Sequence, residues 1–272
     1  MDSSSVGRDE IAAAAKRIGG RVRCTPVIGA TAAELGVPVD VTLKLELLQH
    51  TGSFKPRGAF NRVLAAIEAG DVPPAGLVAA SGGNHGAAVA HVAAELGLTA
   101  EVFVPATSPA TKRDRIAALG ATVHVIDGYY DDAQAAANER RTVTGALLVH
   151  PYDHPAIVAG QGTMAYELDA QVDGYDTLVV ATGGGGFVAG QAAWLEDRRR
   201  VVSVEPATSR CLQAALAAGA PTPVEVRGLA ADSLGARQLG DVAWAVVRRY
   251  VDEAVVVDDD DIRAAQRVLW ER

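Results

Sequence analysis

The sequence predicts an α/β protein with parallel-rich sheets and helices on both faces. Three observations predict it. Short apolar, β-rich runs ending in Gly, Ser or Pro alternate with Ala-rich helical runs along most of the 272 residues. Glycines stop the helical runs, at Gly70, Gly97, Gly120 and Gly145. Glycine-containing clusters at 52–58, 81–86 and 182–187 each follow a predicted strand, where parallel folds place ligands.

Taken in order, 8–18 reads as a helix stopped by Gly19-Gly20, and 39–47 as a strand with Leu43, Leu45 and Leu47 on one face. A helix over 57–69 follows. Strand-then-helix units are expected at 77–80 with 84–96, 101–104 with 110–119, 122–126 with 131–143, and 146–149 with 156–168. The second half repeats the pattern: strand 178–181 leads through the glycine run into a helix to Leu195, and strand 201–204 precedes a helix over 211–218. A helix at 242–249, a strand at 254–257 and a helical run over 261–272 complete the chain.

Composition narrows the function. Hydrophobic residues at 49% supply a sizeable core, and a net charge of −8 is the wrong sign for nucleic acid or an anionic membrane surface. No apolar run reaches the roughly 18 residues of a membrane span. Met1 to Ser5 show no basic stretch leading into an apolar run, so no secretory signal is expected. Cys24 and Cys211 lack CxxC spacing and read as reduced cysteines of a cytoplasmic protein.

The clusters carry the chemistry. Thr182-Gly183-Gly184-Gly185-Gly186-Phe187 exposes backbone N–H groups just before a helix, a cradle for phosphate; a plain tight turn needs only one or two glycines. It is not a P-loop, because no Lys-Ser/Thr pair follows. In Ser81-Gly82-Gly83-Asn84-His85-Gly86 the small residues suit a carboxylate nest, although Ser81 and Asn84 equally suit helix capping. Lys55 sits between Phe54 and Pro56 after a Gly-Ser turn; it reads either as a surface lysine or as a nucleophilic amine desolvated by an apolar wall. Amine, nest and cradle together are what a pyridoxal 5'-phosphate (PLP) enzyme needs.

With these clusters the sequence resembles the serine/threonine dehydratase and serine racemase family, PLP fold type II, the tryptophan-synthase β-like fold. The resemblance rests on Lys44-Leu45-Glu46 through Asn61, Ser81 through Ala90, His150-Pro151 with Gly160-Gln161-Gly162-Thr163, Thr182 through Gly190, and Val204-Glu205-Pro206. It implies a two-lobed protein, residues 1–74 with 151–272 forming a large PLP-binding lobe and 75–150 a small mobile one, commonly as a homodimer. It implies that Lys55 forms the Schiff base and moves the α-proton, and that Phe54 packs beside the cofactor. Asn84 bonds the pyridine 3′-oxygen, Gly183, Gly184, Gly185 and Gly186 hold the phosphate, and Ser81, Asn84 and His85 meet the substrate carboxylate.

The implied activity is dehydration and deamination of a small amino acid, L-threonine or L-serine, to a 2-oxo acid and ammonia. Pro56-Arg57-Gly58 after the lysine favours elimination, because cysteine-synthase-like members show Asp-Arg there. Gly82 stands where the racemases resembling the mammalian enzyme carry a second catalytic serine, which disfavours racemisation. Racemisation, ammonia elimination from 3-hydroxyaspartate, and a weakly active homologue that only binds PLP or an amino acid are the alternatives. The family continues beyond the equivalent of Arg272, with a group for the pyridine nitrogen. Glu205 is a weak metal candidate, since its family partner position holds Cys211 and hard cations prefer oxygen; no metal is expected. Asp232 reads as a solvated loop aspartate, and Tyr129, Tyr130 and Tyr152 are aromatic candidates for the pocket.

Overall fold

The computed structural model describes residues 6–271. Met1 to Ser5, on which the signal reading rests, and Arg272 lie outside the described residues. Helix α1 (Arg8–Ile18) places Asp9 and Glu10 in its first turn and Lys16 and Arg17 in its last, each sign matched to the helix dipole. Strand β1 (Val27–Ala30), helix α2 (Ala32–Leu35) and strand β2 (Val41–Lys44) follow, the two strands pairing antiparallel. Helix α3 (Lys55–Ala69) leads into β3 (Leu77–Ala80), α4 (Asn84–Leu96), β4 (Ala100–Pro105), α5 (Ala110–Ala118), β5 (Thr122–Ile126), α6 (Tyr130–Thr144) and β6 (Leu147–Leu148). The remainder is α7 (Pro155–Gln171), β7 (Thr177–Ala181), α8 (Gly186–Leu195), β8 (Arg200–Pro206), α9 (Cys211–Ala218), α10 (Ala231–Leu234), α11 (Asp241–Tyr250), β9 (Glu253–Val257) and α12 (Asp259–Glu271).

The four-stranded sheet runs β5-β4-β3-β6 and the three-stranded sheet β7-β8-β9, every pairing in both being parallel. Parallel strands buried on both faces are continuous apolar runs, and all of Leu77, Val78, Ala79 and Ala80 are buried. Successive residues of β3 point to opposite sides. Leu77 and Ala79 join Val89, Val92 and Ala93 of α4 in one core, while Val78 and Ala80 join Ala133 and Ala137 of α6 in another. The first of these cores also takes in Ile18, Ala59, Phe60, Val63 and Ile157, from α1, α3 and α7. Around the three-stranded sheet, Val180 and Val201 pack with Val188 and Leu195 of α8 and Val247 of α11.

The expected alternation is present, with three differences. The strand expected over 39–47 is shorter, because Glu46–Leu48 turn into a 3₁₀ helix that lets the Glu46 carboxylate accept from Arg57 Nε (2.8 Å) and Nη2 (2.7 Å). Helix α3 starts at Lys55 rather than 57; Pro56 is tolerated in a first turn, where its N–H would lack a helical acceptor anyway. Elements β1, α2 and α10 are not among those the sequence predicts, although Thr31 and Glu34 form a reciprocal capping box at the start of α2.

Candidate active site

Loops beyond the carboxyl ends of β3, β4 and β7 enclose a cavity of about 830 Å³, where parallel sheets present ligand sites. Parallel pairing sets the loops side by side: Ala80 lies opposite Phe103, and Ser81 N donates to Phe103 O at 3.0 Å. Phe54, Lys55, Ser81, Asn84, His85 and all four glycines of the run line this one space. So do Tyr129, Tyr130 and Tyr152.

Lys55 opens α3, and its Nζ donates to Pro151 O at 2.8 Å with no carboxylate among the described residues in an ion pair with it. Burial of the amine without an opposing charge pushes its pKa down to about 8. The loop that carries Pro151 is fixed at both ends: His150 Nδ1 accepts from Asp153 N (2.8 Å), and Asp153 Oδ1 accepts from Val242 N (2.9 Å). Phe54 stacks on Phe187 with ring centroids 3.9 Å apart, so an apolar wall adjoins the amine.

Behind Lys55 lies a buried charge network. Arg57, 1% exposed, pairs with Glu46 and with Glu167 (3.0 Å), and Lys44 also meets Glu167. Burial alone would raise the Glu167 carboxyl, but the hydrogen bonds and charges of Arg57 and Lys44 outweigh it and hold it below the usual range. Two residues from Lys55, this network anchors the first turn of α3.

The glycine run is shaped by Tyr152. A Cβ on Gly184 would lie 2.6 Å from the Tyr152 ring, and one on Gly186 2.6 Å from Tyr152 O; Gly185 has φ +85°. The N–H groups of Gly183, Gly184, Gly185 and Gly186 donate to no acceptor among the described residues. They lead into α8, whose dipole adds positive potential.

Residues 18–272 match the family model described as pyridoxal-phosphate dependent enzyme. The chain belongs to that family. It is 37% identical over 235 residues to the biosynthetic L-threonine dehydratase of Haemophilus influenzae, covering 85% of this chain and 45% of the relative. The match to a serine racemase of Oryza sativa is 34% over 258 residues, covering 94% of this chain and 75% of that protein. Maize serine racemase superposes with a TM-score of 0.92 at 33% identity, over 98% of this chain and 81% of that one. The chain thus spans about half the length of the dehydratase it matches.

The cavity fits the pyridoxal-phosphate cofactor of this family. A phosphate needs several donors, and the glycine run offers unshielded N–H groups at a helix N-terminus. An aldehyde needs an amine of lowered pKa, which Lys55 provides. The side-chain amide of Asn84, exposed in the cavity wall, has no partner among the described residues. A Gly184→Ala substitution should push the turn or Tyr152 aside. We expect cofactor affinity to fall at least tenfold and the fold to lose about 1–3 kcal/mol, read by cofactor titration and thermal melting.

Other expected residues stand differently. The His85 ring is buried and hydrogen-bonds Val149 O through Nε2 (2.7 Å); burial and the nearby Lys55 charge push its pKa down to about 3. A neutral ring whose Nε2–H is spent on Val149 O has no second ring N–H to donate. Ser81 Oγ accepts from Gly83 N at 3.2 Å, a capping-type bond that orders the turn. Both Glu205 oxygens accept backbone N–H groups, from Leu212 (2.7 Å) and Gln213 (2.8 Å), so that carboxylate caps α9. Asp232 is exposed, as a solvated residue would be, and is also paired: both of its oxygens meet Lys112 Nζ at 2.5 Å, and both residues line the cavity. Cys211 is buried and donates to Ala236 O, whereas Cys24 is exposed. Ser108 and Lys112, absent from the sequence-based set, line the same cavity.

Proposed function

We propose that this chain eliminates water from L-threonine or L-serine and releases the corresponding 2-oxo acid and ammonia. The observation that carries this reading is Lys55: an amine lowered to about 8, without a counter-charge among the described residues, in the same cavity as a row of glycine N–H groups free of acceptors there. The likeness to an L-threonine dehydratase supports the substrate class. When bound, pyridoxal phosphate supplies an electron sink that acidifies the substrate α-carbon. The glycine run would hold the phosphate dianion. Lys55 Nζ would hold the cofactor in the resting protein and, as a neutral amine, would take up and return the substrate α-proton. Loop 81–84 holds the substrate carboxylate through backbone N–H groups, and Asn84 orients the cofactor ring through its amide. The Phe54–Phe187 stack keeps water from one side of the amine. Residues 75–150 move as a small lobe that closes over the substrate.

The amine acts in its neutral form, so its pKa sets a pH profile. From about pH 6 to about pH 8 the neutral fraction rises about tenfold per unit, then levels off. Cofactor uptake by the cofactor-free protein, followed by visible absorbance, should rise and flatten in that window. An ordinary lysine would still be climbing near pH 10.

The activity test is incubation of the PLP-loaded protein with L-threonine and L-serine, with assays for 2-oxobutanoate, pyruvate and D-serine. Oxo acid as the main product is the expected result. A second reading, racemisation, is favoured by the close superposition on maize serine racemase; D-serine without oxo acid would select it. Cofactor uptake with neither product would identify a binding homologue.

A further inference from the structure

Gly82 is a glycine without a backbone reason. It is not among the residues with positive φ, so its conformation is open to any amino acid. One contact accounts for it: a Cβ on Gly82 would fall on Ser108 Oγ and lie 2.7 Å from Ser108 Cβ. The Ser108 hydroxyl therefore occupies the volume where a side chain at 82 would begin. Its loop is held by Ser108 N donating to Pro105 O at 2.9 Å, while Oγ makes no hydrogen bond to any described residue. Ser108 and Gly82 both line the cavity.

We propose that Ser108 Oγ is part of the substrate-carboxylate site, supplying from the β4–α5 loop the hydroxyl that position 82 lacks. This rests on the reading that loop 81–84 receives the carboxylate. The other groups nearby leave room for it. Ser81 Oγ accepts from Gly83 N, which ties its oxygen to the turn while its O–H stays free to donate. Lys112, the ammonium of the neighbouring helix, is held by Asp232. The backbone N–H groups at the start of α4 have no helical acceptors. A carboxylate seated there would accept from them and from Ser108 Oγ, a charge-assisted bond. Gly82 and Ser108 thus act as a pair: one position is vacant so that the other can be filled.

The test is calorimetric binding of L-alanine to the PLP-loaded protein. L-Alanine carries the carboxylate and has no β-hydroxyl to lose. Ser108→Ala should weaken L-alanine about tenfold and leave cofactor affinity within about twofold. A relocation variant adds a second reading. Gly82→Ser combined with Ser108→Gly moves the hydroxyl to the other loop and removes the clashing Cβ. It should bind L-alanine within about threefold of the wild type, and more tightly than Ser108→Gly alone. Unchanged affinity in Ser108→Ala, or no recovery in the double variant, would overturn the assignment. The two proposals separate cleanly. Oxo acid formation by the wild type with no effect of Ser108→Ala on L-alanine removes Ser108 alone. Weakened L-alanine binding in Ser108→Ala, with no oxo acid from the wild type, keeps Ser108 and removes the dehydratase reading.

Discussion

Replacing Lys55 with methionine is expected to abolish oxo acid formation and, at the same time, to stabilise the cofactor-free protein. Loss of a group that both holds the cofactor and carries a proton costs at least about 10³-fold in rate. The stability effect follows from the same burial that prepares the amine. A lysine whose folded pKa lies near 8, against 10.5 ordinarily, opposes folding while it is charged. That penalty is fully present below about pH 8, and it fades as pH rises through the window between the folded and unfolded values. The shift alone converts to ~3 kcal/mol. One side of the amine borders the cavity, so solvent screening reduces the expected gain to about 1–2 kcal/mol. Thermal melting of the cofactor-free proteins near neutral pH should therefore show the variant melting higher. The advantage should shrink towards pH 10.

Arg57→Ala is expected to be the most destabilising single substitution near the site. It would leave Glu46 and Glu167, 12% and 15% exposed, without their shared guanidinium. Breaking a buried pair from one side costs about 3–5 kcal/mol, because the remaining charges keep their burial while Glu46 loses its ion-pair partner and Glu167 keeps only Lys44. The melting temperature should fall by roughly 10 °C for a chain of this size. Arg263→Ala is the comparison. Its pair with Asp260 is solvent-exposed, so its loss should cost well under about 1 kcal/mol. Because Arg57 lies two residues from Lys55, loosening the first turn of α3 should also raise the amine towards its ordinary value. The uptake profile would then shift to higher pH.

Much of this was legible in the sequence because it is local. Strand β3 and helices α1, α4 and α9 have the expected bounds, since β3 is a short continuous apolar run and each of the helices is followed by a glycine. The glycine run and the lysine were recognisable because free N–H groups and an amine in an apolar turn carry chemistry in their own right. What escaped is what depends on contacts between distant segments. Glu46 leaves the strand for Arg57 and Thr25, and nothing between 39 and 47 signals that. Asp232 is exposed as read, but its pairing with Lys112 is invisible because the two stand 120 residues apart. Likewise, Gly82 reads as a missing hydroxyl when position 82 is considered alone. Only the parallel register of β3 and β4 reveals that Ser108 fills the space.

The central claim is that Lys55 carries the cofactor. Borohydride reduction of the PLP-loaded protein, followed by proteolysis and mass spectrometry, tests it most directly. The phosphopyridoxyl group should be found on the peptide containing Lys55. Label on Lys16, Lys44 or Lys112 instead, or no label on a protein that has taken up the cofactor, would contradict it.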